Sequence, residues 1–358
     1  MAYARALRIV LLRPEYRRMQ LEDRLLLLIR LGTHLRAPDD YLDAVIHRTA
    51  HRNLWFTEAN QRLAIEAIAT QMLDEQKLRT WVAAYALSEP VVPQVVGLVL
   101  AGNIPLVGFH DVLCTFVAGH RAQIKLSEKD QFLLPYLLEL LGRFDPRANA
   151  YFELVQRLHD FDAVIATGSN NTSRYFEQYF GKYPHIIRRN RNAVAVLSGE
   201  ETDAQLLALG DDIFRYFGMG CRNVSKLYVP EGYDFNRLLE VLHDNFKQLV
   251  RHSKYKNNYD HNSALYILNQ VPFYNNGCLL LTENDALTSP IAGLHYSYYQ
   301  DLPTLEAELN ERAEEIQCVV SELPLRIESP LFSLGQAQRP GLADYADGVD
   351  TLAFLRDI

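Results

Sequence analysis

Cysteine is scarce in this chain: Cys114, Cys221, Cys278 and Cys318 are all it has. They stand too far apart for a CxxC zinc or redox site, and such usage fits a reducing compartment. Long apolar runs are missing as well. The longest, residues 25–29 and 95–100, fall well short of the roughly 20 residues a membrane-spanning helix needs. Positive charge is not in excess, since 36 basic side chains face 44 acidic ones for a net charge of −8. Affinity for the nucleic-acid backbone or for an anionic membrane needs a positive field and is not expected. Arg5, Arg8 and Arg13 surround a short apolar patch, but no long apolar core and no small-residue cleavage site follow. The expectation is a soluble cytoplasmic protein without a secretory signal. No metal site is expected: His47 and His51 have the spacing of HExxH, yet Arg48 stands where the catalytic Glu would be, so the pair reads as a solvated helix face. There is no GxxxxGK[ST] and no GxGxxG. Gly218 and Gly220 begin the latter, but Asn223 occupies its third glycine position and a strand follows.

What the chain does have is length and apolar content, 358 residues at 48% hydrophobic, which predicts a two-lobed globular protein. Residues 16–88 read as helices over 21–31, 41–50 and 57–73, with Asp40 and Thr57 as N-caps. From Pro90 onward, apolar runs alternate with helical windows, the pattern of βαβ units and a mostly parallel sheet. A strand is expected over 91–100, then a turn at Ala101-Gly102-Asn103 and a helix with Pro105 in its first turn, ended by Gly119. A second strand over 121–126 places Lys125 at its C-terminal end, the edge where open α/β sheets bind ligands. A helix over 131–142, a strand over 161–166 and a helix opened by Gly168-Ser169-Asn170-Asn171 continue the alternation. Strands are expected at 185–187, 193–197, 226–229, 263–268, 278–281 and 317–321, and helices at 203–217, 236–252 and 305–315. The turn-rich tail from Leu323 is expected to pack back on the first lobe. The division is thus a helical segment 1–89, a nucleotide-binding α/β lobe 90–200, a smaller α/β lobe 201–323 and a tail 324–358.

The residues that could carry chemistry form a spaced series: Asn103 in Ala-Gly-Asn-Ile-Pro-Leu, Lys125 in Lys-Leu-Ser-Glu, Gly168-Ser169 after an apolar strand, and Cys221 in Gly-Met-Gly-Cys. A thiolate attacks a thioester carbonyl readily. An Asn amide fixed at a strand-to-helix turn can donate to an oxyanion, and a helix N-terminus suits a pyrophosphate. Local sequence alone leaves other uses open: a buried structural cysteine, a turn or N-cap Asn, a plain N-cap at Ser169 and a surface Lys125/Glu128 pair.

In order, spacing and strand context the series resembles the aldehyde dehydrogenase superfamily, most closely its acyl-CoA reductase branch, typified by the fatty-acid reductase subunit of bacterial bioluminescence. Gly102-Asn103-Ile104-Pro105-Leu106 is similar to the superfamily's Trp-Asn-Phe-Pro segment, Lys125-Leu126-Ser127-Glu128 to its Lys-Pro-Ser-Glu, and Ala166-Thr167-Gly168-Ser169 to its Phe-Thr-Gly-Ser. Cys221 followed by Lys226-Leu227-Tyr228-Val229 resembles the nucleophile and the strand after it. Residues 53–57 and 344–350 also look like this branch. The resemblance implies an aldehyde-dehydrogenase-like α/β fold in which Cys221 is the nucleophile and Asn103 the oxyanion donor. It implies a nicotinamide nucleotide, NADH or NADPH, held by Lys125, Ser127, Glu128, Gly168 and Ser169, and a CoA thioester as substrate, with no metal. Glycines at 218 and 220 would leave room beside the sulfur for the nicotinamide and the acyl group. Homo-oligomerisation is implied too, and an acyl-transferring or aldehyde-using partner enzyme fits such a reaction.

The sequence also departs from the pattern. Aldehyde-oxidising relatives carry a Glu-Leu-Gly-Gly segment whose Glu activates water, and residues 187–192 here read Ile-Arg-Arg-Asn-Arg-Asn. With no carboxylate at that place, an acyl-enzyme is better suited to exchange with CoA and accept hydride than to hydrolyse. The basic run is expected to be a solvated loop or to meet a CoA phosphate. A Glu that holds the nicotinamide ribose is out of register, leaving Glu283 or Asp285 as substitutes, while Asp260-His261 reads as an acid/base pair or as only a turn. The expected function is reduction of an acyl-CoA, by resemblance a fatty acyl one, to the aldehyde through an S-acyl-cysteine. An aldehyde dehydrogenase that does not use CoA and a non-catalytic nucleotide-binding homologue are the alternatives.

Overall fold

The computed structural model describes residues 18–89, 92–168 and 170–358. It begins with helices Leu21–Leu35, Asp40–Arg52, Glu58–Ala67 and Glu75–Ala83. Thr57 caps the third by accepting the Asn60 N–H. The second is capped by Asp39 rather than the expected Asp40, because the Asp39 carboxylate reaches the Tyr41 and Leu42 N–H groups. These helices join the first sheet through the buried Arg24, whose guanidinium donates to the Met19 and Val117 carbonyls and pairs with Glu89 at 3.1 Å.

Two sheets follow. The first contains β1 (Val95–Val99), β2 (Arg121–Lys125), β3 (Phe152–Leu154), β4 (Ala163–Thr167) and β5 (His185–Arg188) in the order β3-β2-β1-β4-β5. All its pairings are parallel, as near-continuous apolar strands such as Val95–Val99 require when both faces are covered. The chain moves outward from β1 through β2 to β3, then returns to the other side of β1 for β4. That reversal opens a crevice at the C-terminal strand edge.

The chain passes to the second sheet between Arg188 and Asn192. This sheet contains β6 (Asn192–Val196), β7 (Val224–Pro230), β8 (Tyr274–Asn275), β9 (Leu280–Glu283), β10 (Gly293–Tyr299), β11 (Ile316–Val320) and β12 (Leu331–Phe332), ordered β12-β11-β6-β7-β10-β9-β8. Only the short β8 at its edge runs antiparallel. Each sheet has its own apolar core. Leu342, Tyr345, Leu352 and Leu355 of the tail lie in the core of the first, and helix Thr351–Arg356 packs on helix Phe109–Val117.

Several expected elements differ. The segment around Pro105 is not helical: Leu106 has φ +57 and its N–H donates to Asp130 Oδ2, so the helix starts only at Phe109. Residues 263–268, expected as a strand, are the end of helix Ser253–Leu268. A five-residue apolar run cannot be assigned by periodicity, and here the His252 side chain caps a helix that buries only Tyr255 and Asn262. β10 carries no strong apolar signal beyond Leu294 and Tyr296, and its place between β7 and β9 makes it a strand. The strand expected from residue 91 is β1, with residues 90–91 outside the described part.

Candidate active site

One cleft of about 1140 Å³ collects most of the sequence-predicted residues. Asn103, Lys125, Ser127, Glu128, Gly168 and Cys221 all line it. Ser169 lies outside the described residues.

On one wall, the loops after β1, β2 and β4 project from the switch point of the first sheet. Gly102 in the first loop packs on the second: a Cβ there would sit 2.3 Å from Ser127 Oγ, so only glycine lets the loops close. Ser127 Oγ accepts the Lys129 N–H at 3.3 Å, which makes it a structural turn residue as well as a lining one. Lys125 stands exposed at the end of β2. Beneath the loops Asp130 accepts the Leu106 N–H, and burial pushes its carboxyl up to about 6. Lys129, Arg157 and Lys182 join Lys125 at the rim, so the repulsion Glu128 would exert on a phosphate is opposed by four cations. Gly168 follows β4 on the same wall, ahead of helix Asn170–Phe180.

The other wall is the turn that carries Cys221. Helix Asp203–Phe214 ends in three consecutive left-handed residues, Tyr216, Phe217 and Gly218, at φ +54, +59 and +74. For the two aromatics this costs on the order of 1–2 kcal/mol each. Packing holds them there. The Phe217 ring lies 5.3 Å from Trp55 and 4.5 Å from His252, and His252 also bonds the Leu54 carbonyl. Asn223 staples the turn from inside. Its Oδ1 accepts the Gly220 N–H at 2.7 Å, while its Nδ2 donates to the Asp212 and Arg215 carbonyls. The reason for glycine at 220 is therefore this staple and not space for a ligand, because a Cβ would come within 2.9 Å of Asn223 Oδ1.

Cys221 is half-buried, whereas Cys114, Cys278 and Cys318 are buried. Its thiol is pushed up chiefly by burial, with Arg222 and Arg188 pulling it down and Asp347 pushing it up. Asn103 Nδ2 donates to the Met219 carbonyl at 2.8 Å. That bond uses one amide hydrogen to tie the first wall to the Cys221 turn and leaves the other for the cleft.

The basic run after β5 is neither a solvated loop nor a uniform patch. Arg188 is buried, 2.6 Å from the Asp111 carboxylate and bonded to Thr351 Oγ1. Arg191 lies 3.6 Å from Asp347, and exposed Arg189 meets Glu177. Carboxylates are present after all. Asp111 and Asp347 both line the cleft with Cys221, reaching it from helix Phe109–Val117 and from the tail; nothing local announces Asp111, and the segment 344–350 that holds Asp347 stands out in the sequence only by resemblance. Neither the substitutes for the ribose-holding Glu nor the Asp260-His261 pair lines it. Glu283 ends β9, Asp285 follows it, and Asp260 is tied to Lys256 on the exposed face of helix Ser253–Leu268 beside His261. His47 and His51 bond each other and Glu58 on an exposed helix face. Among the described residues no group of three or more His, Cys, Asp or Glu is placed to hold a metal. None of the described helices is long and apolar enough to cross a membrane.

No family model matches the sequence. No curated protein matches it either. Solved structures do. The chain is similar to an NAD-dependent aldehyde dehydrogenase from Sinorhizobium meliloti at 13% identity and TM-score 0.65, covering 91% of this chain and 77% of that one. It is similar to aldehyde dehydrogenase 21 from Physcomitrella patens, solved with the reaction product succinate, at 12% identity and TM-score 0.64, covering 95% and 84%. An indole-3-acetaldehyde dehydrogenase from P. syringae, solved with NAD+, matches at 13% identity and TM-score 0.62 over 86% and 72%. At such identities the likeness shows the fold, which is that of an aldehyde dehydrogenase.

Proposed function

We propose that the protein is an NAD(P)-linked oxidoreductase that works through a covalent thioester on Cys221, and that its substrate is an acyl-CoA, reduced to the aldehyde. The observation that carries this reading is the convergence of Cys221, Asn103, Lys125 and Gly168 on one cleft in a fold shared with solved aldehyde dehydrogenases. Cys221 attacks the thioester carbonyl, the free amide hydrogen of Asn103 steadies the oxyanion, and the CoA thiolate departs. Lys125, Ser127, Glu128, Gly168 and Ser169 would hold the nucleotide, whose nicotinamide would supply hydride to the acyl carbon; the bond from that carbon to the Cys221 sulfur then breaks, releasing the aldehyde and returning the Cys221 thiolate. The Cys221 turn is braced by Asn223 and Trp55, so the sulfur holds its place through both half-reactions. Choice of an acyl-CoA over an aldehyde rests on residues 187–192, where Arg188 is locked to Asp111 and no segmental Glu stands ready to activate water. A cytoplasmic enzyme that forms a homo-oligomer and hands its aldehyde to a partner enzyme is consistent with this chemistry.

A second reading has an observation of its own. Asp347 in the cleft is a carboxylate that could drive hydrolysis of the acyl-enzyme, and the similar solved structures are named aldehyde dehydrogenases. Mass spectrometry separates the two. Incubation with decanoyl-CoA and no nucleotide should add a decanoyl group to Cys221, and Cys221→Ala should lose both the adduct and acyl-CoA-dependent oxidation of NAD(P)H. Oxidation of decanal by NAD(P)+ without CoA, and no adduct from decanoyl-CoA, would select aldehyde oxidation instead.

A further inference from the structure

Of the carboxylates that line the cleft, Asp111, Glu128 and Asp347, two are poorly suited to handle a proton. Asp111 is clamped by the Arg188 guanidinium at 2.6 Å. Glu128 stands exposed among the rim cations, on the wall away from the Cys221 turn.

Asp347 is paired more loosely, 3.6 Å from the Arg191 guanidinium. It belongs to a strap of the tail, residues 342–350, of which Ala346 and Asp347 line the cleft, and the strap is fixed at both ends. Before Asp347, the His110 ring bonds the Leu342 carbonyl, Arg222 donates to the Asp344 carbonyl at 2.8 Å, and Trp81 Nε1 donates to the buried Tyr345 hydroxyl. After it, Tyr85 donates to the Asp350 carboxylate, whose other oxygen caps the last helix by accepting the Ala353 N–H. Between the anchors, Asp347 adopts φ +58, a conformation few L-residues take without compensation. Its N–H is held by the Gln317 side chain and its carboxylate accepts the Arg189 N–H. With the backbone so constrained, the side chain is only 10% exposed yet faces the space that Cys221 faces.

We propose that Asp347 accepts the proton of Cys221 during acylation and passes it to the departing CoA. The role rests on the function proposed above and balances the proton of its acylation half. As Cys221 Sγ bonds to the acyl carbon, its proton passes to the Asp347 carboxylate. As the carbon–sulfur bond to CoA breaks, the departing thiolate takes that proton, so CoA leaves as the neutral thiol and Asp347 is again ionised.

The electrostatics agree. The Asp347 carboxyl is raised by burial and by Asp111, against the lowering effects of Arg191, the Arg189 N–H and Arg188. The Cys221 thiol is likewise raised, mainly by burial. A thiol that is protonated at neutral pH needs a nearby base at the moment of attack, and a carboxyl moved toward neutrality matches it better than an ordinary one. Arg188, Arg189, Arg191, Arg222 and Asp111 are the charged groups around the pair.

Removing the charge separates proton transfer from mere structure, because the two roles move different readouts. Iodoacetamide reacts with the thiolate alone, and the Asp347 charge opposes that thiolate. Asp347→Asn should therefore leave alkylation of Cys221 at neutral pH as fast as in the wild type or faster. Acylation by decanoyl-CoA should fall about a hundredfold, and Asp347→Glu should recover part of it. Acylation of Asp347→Asn within about threefold of the wild type would overturn the proposal, and so would a parallel fall in alkylation and acylation, the mark of a collapsed strap. Failure of the wild-type protein to acylate at all would instead strike the proposed function and leave no role for this residue to fill.

Discussion

The two walls of the cleft are built in opposite ways. The first-sheet wall consists of loops at the ends of parallel strands, with exposed lysines and a single left-handed non-glycine residue, Leu106. The facing wall is a turn in which two bulky aromatics are forced into left-handed backbone, and packing and a buried Asn prevent their relaxation. The difference suits the roles proposed for the two walls. Charged groups that meet a mobile phosphate work from flexible side chains at a sheet edge, where a small displacement matters little. A sulfur that must meet one carbon atom gains from a position that other residues over-determine.

The contrast is broken most severely at Asn223. Asn223→Ala would leave the Gly220 N–H without its side-chain acceptor and take one donor each from the Arg215 carbonyl and from the Asp212 carbonyl, which keeps the Gln338 amide at 3.4 Å, and the strain at Tyr216 and Phe217 would lose one of its restraints. Unsatisfied buried groups cost about 1–3 kcal/mol each. The partners that remain and partial relaxation of the turn reduce the sum, so the expected loss of stability is about 2–3 kcal/mol by urea unfolding. The Cys221 alkylation rate should change at the same time. A variant within about 1 kcal/mol of the wild type would mean that the staple is ornamental and that Trp55 and His252 alone hold the turn.

The first wall was the more legible in the sequence, for a physical reason. Lys125 at the end of β2 follows from an apolar run, a turn and the rule that open α/β sheets bind at that edge. Asn103 and Gly168 follow in the same way from the strands before them. All depend on local pattern. The second wall depends on contacts distant in the chain. Asn223 read as a failed third glycine, and its value lies in carbonyls eight to eleven residues back. Arg188 read as part of a solvated basic loop because its partner, Asp111, is 77 residues away. Asp347 reaches the cleft only through a tail anchored on residues of the first helices. The same limit explains helix Ser253–Leu268, whose polar first half shows no apolar stripe and whose apolar end was mistaken for a strand.

Asn103 joins the walls, so it tests whether they act together. Asn103→Ala removes the bond to the Met219 carbonyl, worth about 1 kcal/mol of stability, and the donor offered to the oxyanion, worth roughly 3 kcal/mol in rate. Acylation by decanoyl-CoA should then slow about a hundredfold or more while the urea midpoint moves little. If stability drops as far as in Asn223→Ala and alkylation of Cys221 changes equally, Asn103 belongs to the scaffold of the turn and its rate effect is indirect.

The smallest effect is expected where the first wall works alone. Lys125 is exposed at its strand end and shares the rim with Lys129, Arg157 and Lys182, so its loss removes one of four nearby cations and strains nothing. Lys125→Ala should weaken nucleotide binding about tenfold, or about 1.4 kcal/mol. The deficit should shrink as salt is added, since screening already weakens an exposed charge. Acylation by decanoyl-CoA in the absence of nucleotide should stay at the wild-type rate, because the Cys221 turn does not touch this rim. A fall in that rate would show that the two walls are mechanically coupled, and the division of labour between a forgiving electrostatic edge and a rigid nucleophile turn would have to be abandoned.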